Sequence, residues 1–108
     1  MNHVSQAPAL RKLIAQGVVA MPGVPNASMA RQVERAGFDA VYISGAGLAN
    51  CTAGLPDVGL LTLNEVATLA GFIAQAVKIP AIVDADTGFG SAENVGRTIY
   101  ELERAGLA

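Results

Sequence analysis

With 108 residues, 52% hydrophobic and 15% charged, the chain has the size and polarity of one globular domain, which excludes a disordered segment. A net charge of −2 and few aromatic residues exclude a basic nucleic-acid footprint, and no apolar run approaches the roughly 20 residues of a membrane span. Cys51 stands alone, so it forms no internal disulfide, and Met1 to Gln6 lack a charged-then-apolar leader; both features predict a reducing, cytoplasmic setting.

Ala7 to Gln16 predicts a short helix with Leu10, Leu13 and Ile14 on one face, stopped by Gly17. Val18 to Met21 predicts a first buried strand, ended by Pro22–Gly23–Val24–Pro25. Asn26 or Ser28 can cap the next helix, whose inward stripe is Met29, Val33 and Ala36. Gly37 ends that helix where a left-handed residue is wanted. Ala40 to Ser44 predicts a second strand, and Gly45 to Leu61 a long polar loop. Thr62–Leu63–Asn64–Glu65 has the spacing of a capping box. Val66, Leu69, Ala70, Ile73, Ala76 and Val77 follow at helical spacing. The apolar run from Ile79 leads into a third strand ending at Asp84. A last helix runs from about Ala92 to Arg104, with Val95, Ile99 and Leu102 inward and Arg97–Glu101 as an i,i+4 pair.

One helix followed by three strand–helix units predicts an α/β fold with a parallel sheet and covered faces. Glu34–Arg35–Ala36–Gly37 recurs as Glu103–Arg104–Ala105–Gly106. The first copy leads directly into the second strand, so the second should lead into a fourth. Three strands leave two open edges, which favours a piece of something larger. Strand order alone fits an open doubly wound sheet as well as part of a barrel.

Three groups lie where strands end and loops begin. Asp84 and Asp86 would converge on one site if extended geometry persisted through both. Two carboxylates there call for a compensating charge, and a hard divalent cation held through oxygen supplies it. Standing alone, the same D-x-D pair also reads as a loop cap beside a solvated carboxylate. Tyr42 and Ser44 alternate onto one side, and Gly45 and Ala46 would let backbone N–H groups approach an anion. Tyr42 equally reads as a core residue above a turn. Asp57, in a loop stiffened by Pro56, could reach inward or stay in solvent. Gly88–Phe89–Gly90 is not a dinucleotide fingerprint, because Glu93 stands where its third glycine belongs. Cys51 reads as an ordinary thiol, and His3 as a solvated side chain.

Val41–Tyr42–Ile43–Ser44–Gly45, Gly54–Leu55–Pro56–Asp57–Val58–Gly59 and Val83–Asp84–Ala85–Asp86–Thr87–Gly88–Phe89–Gly90 together resemble the isocitrate lyase/phosphoenolpyruvate mutase superfamily. Within it the likeness is greatest to the methylisocitrate lyases, from about Leu10 to Ala108. The resemblance implies the N-terminal portion of a TIM (β/α)8 barrel, a leading helix plus about three β/α units. Residues 1–108 would form a single partial domain. It implies Mg²⁺ and a small carboxylate substrate. Asp84, Asp86 and Asp57 match the metal-site aspartates. Tyr42, Ser44, Gly45 and Ala46 match the segment that holds the carboxylate and oxo end of the substrate.

The implied reaction is retro-aldol cleavage of 2-methylisocitrate to pyruvate and succinate, in propionate catabolism, by a cytoplasmic homotetramer. Two departures stand out. Ala46 occupies a place where the lyases often carry a second glycine. The family's Lys-(Lys/Arg)-Cys-Gly-His loop follows the fourth strand and has no counterpart in these residues. Cys51 is not its cysteine, because its neighbours are Asn50 and Thr52. No catalytic residue is therefore assigned here, and this chain alone is expected to be inactive. Oxaloacetate decarboxylase, phosphonopyruvate hydrolase and phosphoenolpyruvate mutase would share the three motifs. A non-catalytic truncated chain, pairing through its open edges, is the alternative outside enzymology.

Overall fold

The computed structural model describes residues 5–108, and His3 lies outside them. Helix α1 spans Ala7–Ala15, strand β1 Gly23–Val24, α2 Ala27–Arg35 and β2 Val41–Ile43. A single helical turn α3, Gly45–Gly47, runs into a π-helical segment, Leu48–Ala53. Helix α4 spans Leu63–Ala76, β3 Ala81–Val83 and α5 Ala92–Arg104. The strands form one parallel sheet, as the alternation of apolar runs and amphipathic helices predicts, and their order is β1-β2-β3. The register sets Tyr42 between Gly23 and Ile82, and Ile43 between Val24 and Val83.

Local chemistry explains most boundaries. Asn26 caps α2, its Oδ1 accepting from the Met29 N–H at 2.9 Å. Thr62 and Glu65 form the reciprocal box, with bonds of 2.8 and 3.2 Å; such a cap stabilises a helix by about 1 kcal/mol. The two Glu-Arg-Ala-Gly copies fold alike. Phe38 N–H reaches back to Val33 O at 3.4 Å, and Leu107 N–H to Leu102 O at 3.2 Å. Gly37 and Gly106 have φ of 93° and 104°, the left-handed residues that such a turn needs. After the second copy the Ala108 N–H donates to Ala81 O at 2.9 Å, so the chain lies against β3 where a fourth strand is expected.

Val41 and Ile43 of β2 are fully buried in one cluster with Val24, Leu48, Val66, Ala70, Ile73, Leu102 and Leu107. Alternation along β2 turns Tyr42 and Ser44 to the other face, where both are half-buried. Among the described residues no helix is long and apolar enough to cross a membrane.

Four expectations need correction. The first strand is Gly23–Val24, not Val18–Met21, and Val18 is exposed. Apolarity marks a segment that can be buried, but pairing is decided by the backbone: Tyr42 N–H takes Pro22 O at 3.0 Å, so the ladder starts after Met21. On α2, Val33 packs against the core as expected, but the fully buried position is Ala30, while Met29 is 48% exposed and Ala36 is exposed. The segment after β2 is not all loop. Ser44 caps it, its Oγ accepting from the Gly47 N–H at 3.2 Å, and Leu48 and Ala49 are buried before left-handed Gly54 ends it. On α5, Leu102 is buried as expected, but its partner is Thr98; Val95 and Ile99 are exposed.

Candidate metal and substrate site

The C-terminal ends of β2 and β3 bring part of the expected site together. The Asp84 N–H donates to Ile43 O at 3.0 Å, extending the ladder one residue beyond β3. That bond sets Asp84, half-buried, beside Ser44 and Gly45. A Cβ on Gly45 would stand 3.1 Å from Asp84 Oδ2, so the carboxylate fills the space that the missing side chain leaves.

Extended geometry does not persist to position 86. Asp86 has φ 46°, and the Gly88 N–H closes a turn on Ala85 O at 2.9 Å. The two aspartates are therefore linked differently from the expected strand alternation. Asp84 Oδ1 accepts from the Asp86 N–H at 2.9 Å. The Asp86 side chain is exposed at the rim.

Ser44 and Tyr42 are placed by β2. The Ser44 hydroxyl oxygen is engaged by the Gly47 N–H, which leaves its proton to give to a ligand. The Tyr42 ring lies over β1, 3.6 Å from where a Gly23 Cβ would be, an ordinary van der Waals distance. Ala46 is half-buried in the turn that follows. Asp57 is exposed in the loop after the π-helical segment. Among the described residues no three His, Cys, Asp or Glu side chains are grouped to hold a metal ion, so Asp57 is not gathered with Asp84 and Asp86. Cys51 is exposed on the π-helical segment.

The electrostatics of the pair fit a cation. The ion pairs among the described residues run from Arg97 and Arg104 to Glu101 on α5, and none reaches Asp84 or Asp86. Two carboxylates at the end of a buried strand, without a basic partner, can be neutralised by a hard divalent ion. Asp84 Oδ2 is seated against Gly45, and the Asp86 N–H engages the other oxygen, Oδ1.

Sequence reasoning missed two supporting residues. Thr98 on α5 donates to Gly88 O at 2.6 Å from a buried position. Glu34 on α2 accepts from the Lys78 and Ile79 N–H groups, at 2.7 and 3.1 Å, where the chain enters β3. A polar residue on the inward face of a helix was the available signal for Thr98. Nothing in the sequence marks the contact of Glu34, which spans more than 40 residues.

Comparison with known proteins places this arrangement. The signature of the family described as phosphoenolpyruvate phosphomutase matches residues 10–108. The chain is 52% identical over 100 residues to 2-methylisocitrate lyase of Aeropyrum pernix, covering 92% of this chain and 32% of that protein. It is 45% identical over 106 residues to 2,3-dimethylmalate lyase of Eubacterium barkeri, covering 97% and 37%. A crystal structure of 2,3-dimethylmalate lyase superposes with a TM-score of 0.89 at 38% identity, over 97% of this chain and 38% of that one. A phosphonopyruvate hydrolase solved with oxalate and Mg²⁺ superposes with a TM-score of 0.83 at 31% identity, over 96% and 37%. The chain thus spans about a third of the length of the curated relatives it matches. With its parallel α/β fold and this match over nearly its whole length, the chain belongs to the phosphoenolpyruvate mutase/isocitrate lyase superfamily.

Proposed function

We propose that the full-length protein is a Mg²⁺-dependent carbon–carbon lyase of the methylisocitrate lyase type, cleaving 2-methylisocitrate to pyruvate and succinate. The observation that carries this reading is the Asp84 carboxylate, seated against Gly45 at the strand ends with no basic partner among the described residues. On this reading the three strands are the first part of a (β/α)8 barrel, whose working groups lie at the C-terminal ends of its strands.

Asp84 and Asp86 would hold the ion, directly or through water; Asp57 stands apart from them in its loop. When bound, the ion would supply positive charge against negative charge developing on the substrate oxygens. Ser44 donates its hydroxyl proton to the substrate carboxylate. Tyr42 walls the site beside it. The backbone at Gly45 and Ala46 approaches the carboxylate and oxo end closely, because neither residue has a bulky side chain. The acid that protonates the product is not among these residues, so the chain by itself binds and orients without completing the reaction. The same reading expects a cytoplasmic homotetramer acting in propionate catabolism.

A substrate panel on the full-length protein tests this: 2-methylisocitrate, 2,3-dimethylmalate, oxaloacetate and phosphonopyruvate, with products identified by mass. Pyruvate and succinate from 2-methylisocitrate, abolished by a chelator and restored by Mg²⁺, is the expected result. Turnover confined to one of the other three would replace the substrate. Full activity in the presence of chelator would remove the metal.

A further inference from the structure

Among the described residues Thr98 is the one buried polar side chain, 1% exposed. A hydroxyl there is costly unless it is paired, and a valine of the same shape would fill the space without that cost. Its partner therefore calls for an explanation. The Thr98 Oγ1 donates at 2.6 Å to the carbonyl of Gly88, in the loop that follows Asp84.

That loop is held in unusual backbone. Asp86 and Phe89, neither of them glycine, have φ of 46° and 61°. Such conformations persist only where the surroundings fix them, and they cluster at ligand sites. Helix α5 also crowds the loop. A Cβ on Gly88 would meet Val95 Cγ2 at 2.6 Å, and one on Gly90 would meet Asn94 Cγ at 2.7 Å. The turn pinned in this way closes through the Gly88 N–H and Ala85 O and carries the Asp84–Asp86 link within it. One fixed point, Gly88, thus has its carbonyl on α5 and its amide on the turn that carries Asp86.

We propose that Thr98 is a positioning residue for the Asp84–Asp86 site, holding through Gly88 O the turn that carries Asp86 and links its N–H to the Asp84 carboxylate, where a divalent cation would bind. The inference rests on the Mg²⁺ reading above. Thr98 touches neither ion nor substrate; it acts through the loop.

The test uses the full-length protein, with Mg²⁺ alone as the probe in titration calorimetry and amide hydrogen exchange as a second readout. Thr98→Val keeps the shape and removes the hydroxyl; Thr98→Ser keeps the hydroxyl. We expect Thr98→Val to weaken Mg²⁺ binding by about tenfold or more, and Thr98→Ser to stay within about threefold of the parent, in the range known for outer partners of metal ligands. The Asp86 amide should exchange faster in Thr98→Val while the amides of α4 do not. Parental Mg²⁺ affinity in Thr98→Val overturns the inference, whatever happens to thermal stability. If the parent binds no Mg²⁺, the proposed metal fails, and Asp86 exchange alone decides the role of Thr98. Faster exchange in Thr98→Val but not in Thr98→Ser then sustains it, and equal exchange overturns it. Should Thr98→Val not fold, Thr98→Ala carries the same comparison.

Discussion

A side chain at Gly45 and the carboxylate of Asp84 compete for one space: a Cβ on Gly45 would stand 3.1 Å from Asp84 Oδ2. The glycine therefore serves the aspartate as well as any ligand that its own backbone approaches. Gly45→Ala should push the carboxylate aside by a few tenths of an ångström. A misplacement of about 1 Å at a reacting centre costs on the order of a hundredfold in rate, so a shift of a few tenths should cost up to about tenfold. Steady-state kinetics of the full-length variant should show kcat/KM reduced by that amount, with the unfolding midpoint little changed. Unaltered kinetics would mean that Asp84 is not held where the chemistry needs it.

Glu34 ties α2 to the entry of β3 through two backbone N–H groups, Lys78 and Ile79. Hydrogen bonds to a charged acceptor contribute about 1.5–3 kcal/mol when buried, and less in this partly exposed setting. Glu34→Ala should lower the stability of the full-length protein by about 1 kcal/mol in urea unfolding. Glu34→Gln, which keeps an acceptor, should lose less. Equal losses for the two variants would mean that the carboxylate charge is what matters, and no loss would mean that the contact is incidental.

Gly88 is required on two counts, its φ of 95° and the 2.6 Å approach of Val95 to a Cβ at that place. Gly88→Ala must shift α5 or the loop, and overpacking of this kind costs about 1–3 kcal/mol. Thermal unfolding should show the destabilisation. Adding Val95→Ala should recover part of it by making room, since the two side chains are in direct contact. Independent, additive losses would place the cost in the backbone alone.

How much of this was legible in the sequence depends on the scale of the cause. Caps and turns are local, so Asn26, the Thr62–Glu65 box, Gly37 and the span of α5 could be read directly. The parallel sheet followed from the alternation of elements. Val18 to Met21 misled because apolar character and hydrogen-bond register are separate properties. The segment Leu48–Ala53 contains mostly small and polar residues and looks like loop; its structure comes from burial of Leu48 and Ala49 at one end. In the site, Asp84 could be placed by the end of its strand. The turn at Asp86, with its positive φ, could not be read from the D-x-D spacing. Glu34 was invisible because its partners are set by tertiary structure, whereas Thr98 left only the faint signal of a polar residue on an inward helix face.

The central claim is that Asp84 binds a divalent cation at the strand ends, and calorimetric titration of the full-length protein with Mg²⁺ addresses it most directly. Asp84→Asn should weaken binding by more than the tenfold to hundredfold typical of residues that only support a ligand. Asp39→Asn, an exposed carboxylate ahead of β2 at its opposite end, should leave it unchanged. Parental affinity in Asp84→Asn, or an equal loss in both variants, would contradict the account.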